Sequence, residues 1–172
     1  MKLDYKNQLD ETFHQDSRVW VYQSSRIFTL AEALEIEDLL EEFVDQWQSH
    51  GVPVKGDAYL FFGQFVIFVA DETATGVSGC STDSSVRLVR DMGHRFDVNM
   101  FDRTTLAFFV NGKIELLPLA QLHYAISNGF INGDTFYFNN LVQTKAELEN
   151  QWIIPVKESW LAERISHPSS VS

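Results

Sequence analysis

Apolar and polar positions along this chain follow two rhythms, and the switches between them mark out its elements. Arg18–Gln23 (Arg-Val-Trp-Val-Tyr-Gln) is β-branched and aromatic with apolar residues on both faces, which predicts a strand inside a sheet. Thr29 with Glu32 three residues later has the spacing of a capping box. Beyond it, Ile36, Leu39, Leu40, Phe43, Val44 and Trp47 recur at steps of three and four. That stripe predicts a helix from about 30 to 48, with Gly51 and Pro53 as stop signals. Glu35, Asp38, Glu41, Glu42 and Asp45 occupy the other face, as expected of a solvated surface.

Tyr59–Phe62 and Phe65–Ala70 are strand-like runs around Gly63-Gln64. They predict a type II′ hairpin, or one long strand bulged at Gly63. Asp71–Gly79 is loop composition, and a second helix is expected from Ser81–Asp83 through Val86, Val89 and Met92 to Gly93. Thr104–Val110, the type I′ turn signal Asn111-Gly112 and Lys113–Leu117 form a second hairpin. Pro118 suits the first turn of a helix through Ile126, stopped by Asn128-Gly129. A strand at Thr135–Phe138, a capping box at Thr144 and Glu147, and a last helix opened by Pro155 and ending near Arg164 complete the series. Trp152 and Trp160 are expected to anchor this C-terminal region by burying large rings.

Read in order, residues 18–117 spell β-α-β-β-α-β plus one strand. The expected fold class is α+β: a ferredoxin-like (βαββαβ) antiparallel sheet with helices on one face, plus a C-terminal β-hairpin/helix subdomain. The body spans about 18–110 and the subdomain about 104–165, within one domain over 17–165; residues 1–16 are a tail or short helix, and 166–172 a disordered tail.

Composition narrows the function classes. The 172 residues hold 13 Lys+Arg against 24 Asp+Glu, a formal charge of −11, which argues against nucleic acid or an anionic membrane as partner. A single Cys excludes an internal disulfide framework and a Cys-rich zinc site. The polar start lacks the apolar core of a signal peptide, and Phe65–Ala70 is too short to span a bilayer, so a cytoplasmic setting without membrane insertion is expected.

One stretch stands out chemically. Ser78-Gly79-Cys80-Ser81-Thr82-Asp83-Ser84-Ser85 lies where a loop meets a helix start, a position whose free N–H groups and dipole favour anions and lower a thiol pKa. Ser24-Ser25-Arg26 follows the first strand. If that strand end lies beside the helix start, Arg26 completes a pocket with Ser24, Ser25, Ser78, Gly79, Cys80, Ser81, Asp83, Ser84 and Ser85 for a small anionic metabolite. Ordinary helix capping and an inert packed thiol are the plain alternatives. A thiol enzyme with Cys80 as catalytic nucleophile, Arg26 as oxyanion partner and His50 or His94 as base is a further reading. A third makes the chain an interaction module for another protein, using Phe130, Phe136, Tyr137 and Phe138.

Cys80 and Arg87 enclose six residues, one more than the Cys-x5-Arg loop of tyrosine phosphatases. The histidines lack metal-site spacing, and neither Gly-x4-Gly-Lys-Ser/Thr nor Gly-x-Gly-x-x-Gly occurs, so no metal or cofactor is called for and a P-loop ATPase is excluded.

Two resemblances add to this picture. Val19-Trp20-Val21-Tyr22-Gln23-Ser24-Ser25-Arg26, Trp47-Gln48-Ser49-His50-Gly51, Ala70-Asp71-Glu72 and the Ser78–Ser85 stretch together resemble an uncharacterised family of small bacterial proteins often labelled "ABC transporter ATPase". The Walker motif that label requires is missing, and the resemblance implies no catalytic residue. Residues 106–142 are similar to a GYF-related adaptor module in the hairpin Phe108–Lys113, the Pro118–Ile126 helix and Asn128–Thr135. That similarity implies a small hairpin-plus-helix unit used for protein contacts, some with proline-rich peptides; Leu117-Pro118 stands where such modules usually carry Gly-Pro.

Overall fold

A computed structural model describes residues 1–73 and 80–166, with Cys80 and Ser81 given as helix backbone. The chain forms two compact units. The first comprises Lys2–Asp102 and Leu141–Glu149. Its elements are β1 (Arg18–Gln23), α1 (Leu30–Gln46), β2 (Gln48–Ser49), β3 (Val52–Pro53), β4 (Lys55–Phe61), β5 (Phe65–Asp71) and α2 (Cys80–Arg95).

Strands pair antiparallel in the order β1-β5-β4, in register from Arg18 opposite Ala70 to Gln23 opposite Phe65. β5 takes the centre because all seven of its residues are buried, as a continuous apolar run demands. Arg18–Gln23, expected inside the sheet, instead sits beside β5 as an outer strand whose far side bridges Arg18 to Thr144. Val66, Phe68 and Ala70, alternate residues and so one face of β5, share a core with Ile36, Leu40 and Trp47 beside α1 and with Val89 and Met92 of α2. Both helices therefore cover the same face. The N-terminal segment, expected as a tail or short helix, contains a 3-10 turn at Lys6–Gln8 and buries Tyr5, Leu9 and Phe13; the Tyr5 hydroxyl donates to the Leu148 carbonyl at 2.5 Å.

The turn between β4 and β5 differs from the II′ expectation. Phe62 and Gly63 both adopt left-handed backbone (φ 56° and 62°), a conformation that costs a phenylalanine strain. The Gly63 carbonyl accepts from Phe28 N–H at 2.8 Å and that of Gln64 from Ser24 N–H at 2.9 Å, tying the turn to the β1–α1 connection.

The second unit comprises Arg103–Asn140 and the chain from Asn150. It holds β6 (Thr105–Val110), β7 (Lys113–Pro118), α3 (Leu122–Ser127) and β8 (Phe136–Phe138). After α4 (Lys145–Gln151), which begins in the first unit, come β9 (Ile153–Pro155) and α5 (Ala162–Ser166). The sheet order is β7-β6-β8-β9, antiparallel throughout. Leu106 and Phe108 of β6 pack with Leu122 and Ala125 of α3 and with Val156 and Leu161. Trp152 is fully buried edge-to-face on Phe138, its N–H donating to Asn140 Oδ1 at 3.0 Å.

The chain is thus α+β with antiparallel sheets. In place of the expected four-stranded ferredoxin-like sheet, the first unit holds the three-stranded sheet β1-β5-β4. The strand expected to complete it, β6, joins a separate sheet, because the Asn111-Gly112 turn pairs it locally with β7 and its core face meets α3. Pro155 also departs from expectation: it closes an outer strand, where a missing N–H costs nothing, and a 3-10 turn at Val156–Glu158 precedes α5. Among the described residues, no helix is long and apolar enough to cross a membrane.

Candidate functional site

Ser24, Ser25 and Arg26 are engaged within the first unit. Ser24 is fully buried, with both its backbone N–H and its carbonyl bonded to Gln64. Ser25 and Asn99 exchange bonds: Ser25 N–H donates to the Asn99 carbonyl and Asn99 N–H to Ser25 Oγ, both at 2.9 Å. Arg26 forms a bidentate pair with Glu32 (2.8 and 2.9 Å) and donates to the Phe96 carbonyl at 2.7 Å. Glu32 is itself the closing residue of the Thr29 capping box, so three groups converge on the start of α1. The Arg26 hydrogen bonds are the largest influence on Glu32 and hold its carboxyl down to about 2.

Phe96 follows the C-terminal end of α2, whereas Cys80 stands at its N-terminal end. A helix of 16 residues is about 24 Å long, so Arg26 stands at the end of α2 away from Cys80 and Ser81. Ser78 and Gly79 lie outside the described residues. Cys80 and Ser81 form the first turn of α2 with Asp83, which is exposed. Ser84 is half-buried, and Ser85 is fully buried with its hydroxyl donating to the Thr82 carbonyl at 2.7 Å. Of the two histidines considered as bases, His94 is exposed on the last turn of α2, at the end opposite Cys80. His50, expected at a helix end, forms with Gly51 the left-handed turn joining β2 to β3 (φ 51° and 78°). Among the described residues no group of three His, Cys, Asp or Glu could hold a metal ion.

Of the aromatics considered for protein contacts, Phe130 and Phe136 are exposed, while Tyr137 and Phe138 are core residues. A better-formed surface lies nearby in the same unit. Pro118 (φ −55°) leads into a 3-10 turn at Leu119–Gln121 that runs directly into α3, as its fixed φ favours. The exposed side of this helical segment and Arg164 of α5 enclose an open groove of about 670 Å³. Buried Leu122, half-buried Leu119 and Ile126, and exposed Thr104 are among its lining residues. Exposed Ala120, His123 and Tyr124 edge it, Tyr124 with 66% of its surface free. The Arg164 guanidinium lies over the Trp160 ring, 5.6 Å from its centroid, and the Trp160 N–H donates to Tyr137 Oη at 3.1 Å.

These groove residues were not singled out from the sequence, although a signal existed. Tyr124 falls between Leu122 and Ala125, out of phase with the buried stripe of α3, so a large ring had to face solvent. Arg164 carried no comparable signal, since its neighbour across the groove is about forty positions away.

Two depressions of the first unit have a different character. One, of about 280 Å³, sets Glu37, Glu41 and Asp45 of α1 opposite Asp57 of β4. The other, of about 330 Å³, brings Ser84 of α2 beside Trp47 and Gln48.

Comparison of the chain with protein-family models, with curated proteins and with solved structures finds no match to any of them.

Proposed function

We propose that this protein is an interaction module that receives a short apolar segment of a partner protein in the groove beside α3. The observation that carries this reading is the groove itself: about 670 Å³, lined by Leu119, Ala120, Leu122 and Ile126 among others, with Tyr124 two-thirds exposed in its lining. A tyrosine so placed can cover a ligand at little entropic cost, and aromatic residues beside a desolvating pocket are where binding energy concentrates. Leu119, Ala120, Leu122 and Ile126 supply half of its lining, an apolar surface that suits a side-chain anchor, with Thr104, His123, Tyr124 and Arg164 as the polar half.

The test is selection of random displayed peptides on the full chain. Enriched peptides should bind Tyr124→Ala at least tenfold more weakly than the parent, with unchanged thermal stability. Peptides that bind both proteins equally, or no enrichment at all, would refute the reading.

A further inference from the structure

The groove's charge sets it apart. Asp and Glu number 24 in this chain, yet among the described residues none lines the groove, and the groups there able to carry charge are Arg164 and His123. In the depression at α1 and β4, by contrast, four carboxylates face one another. Arg18, Arg26 and Arg95 pair with Glu72, Glu32 and Glu35, while Arg164, like Arg87, Arg90 and Arg103, makes no ion pair among the described residues and so has its charge free for a ligand.

Resting on the interaction-module reading, we propose that the segment this groove takes is acidic as well as apolar: an aliphatic or aromatic anchor flanked by Asp or Glu, whose carboxylate meets Arg164. The Arg164 guanidinium lies over the Trp160 ring, an attraction that steadies it. The planar edge, with its fork of N–H donors, stays available for a carboxylate in the bidentate geometry that arginine favours. The −11 charge of the whole chain opposes an acidic ligand at long range. At physiological ionic strength that repulsion is screened beyond about 8 Å, while a contact pair at Arg164 is screened far less.

The experiment extends the selection to the composition of the winners and to Arg164. Peptides selected on the full chain should be enriched in Asp and Glu beside apolar residues relative to the unselected library. Their affinity should fall at least tenfold for Arg164→Glu and by less for Arg164→Lys. Arg164→Gln replaces the reversal if Arg164→Glu lowers the melting temperature. Peptides that lose affinity for Tyr124→Ala yet carry no acidic excess, or bind the Arg164 variants as well as the parent, would overturn this inference and leave the groove reading standing. Peptides indifferent to Tyr124→Ala, or none at all, would overturn both.

Discussion

Arg26 ties its own turn and the Glu32 carboxylate six residues on, at the start of α1, to the remote Phe96 carbonyl beyond α2. Removing it should lower stability without touching the groove. Arg26→Ala is expected to unfold at lower urea than the parent while binding selected peptides unchanged; equal midpoints would mean the pair contributes nothing. Thr29→Ala removes the oxygen that accepts from Glu32 N–H at 3.2 Å and should cost about 1 kcal/mol in the same measurement. Trp152 is fully buried against Phe138, so Trp152→Ala should cost about 3–5 kcal/mol, read from equilibrium unfolding. The Thr29–Glu32 box could be read directly from spacing. The destination of Arg26 could not, because a strand end gives no information about which end of a later helix it meets.

Three elements written by local rules form where those rules place them. The α1 stripe, the six-residue apolar run Phe65–Ala70 of β5 and the Asn111-Gly112 turn (φ 50° and 77°) each specify their own geometry within a few residues. Sheet membership is a longer-range choice. β6 has the composition of a strand for either sheet, and what decides is the hairpin partner supplied by its turn and the apolar face of α3 waiting beside it. Close packing between elements is equally silent in sequence. Gly56 of β4 lies under Trp47, and a methyl group at that position would come within 2.4 Å of the indole ring. Gly56→Ala should therefore destabilise the first unit by about 1–3 kcal/mol, visible as a lower melting temperature. A melt identical to the parent's would show that Trp47 moves aside freely.

For the whole molecule, acid is the informative stress. Asp71 is almost fully buried, and its carboxyl is held well below the usual range, foremost by the Thr73 hydroxyl (2.6 Å), with the His14 N–H and the Lys55 ammonium adding to it. Glu32 is held down as well, to about 2. Both carboxylates bind protons more weakly folded than unfolded, so what they contribute is present in full above their unfolded values and is lost as pH falls toward the folded ones. Stability should decline from about pH 5 to pH 2, and Asp71→Asn, which has already lost its share, should show a shallower decline. Parallel slopes would remove Asp71 from the account.

The central claim concerns the groove, and amide chemical-shift mapping of the full chain with a selected peptide tests it most directly. The account predicts that the shifts cluster at Leu119–Ile126 and Arg164 and vanish with Tyr124→Ala. Shifts centred elsewhere, on the first turn of α2 or on the acidic depression at α1 and β4, would contradict it.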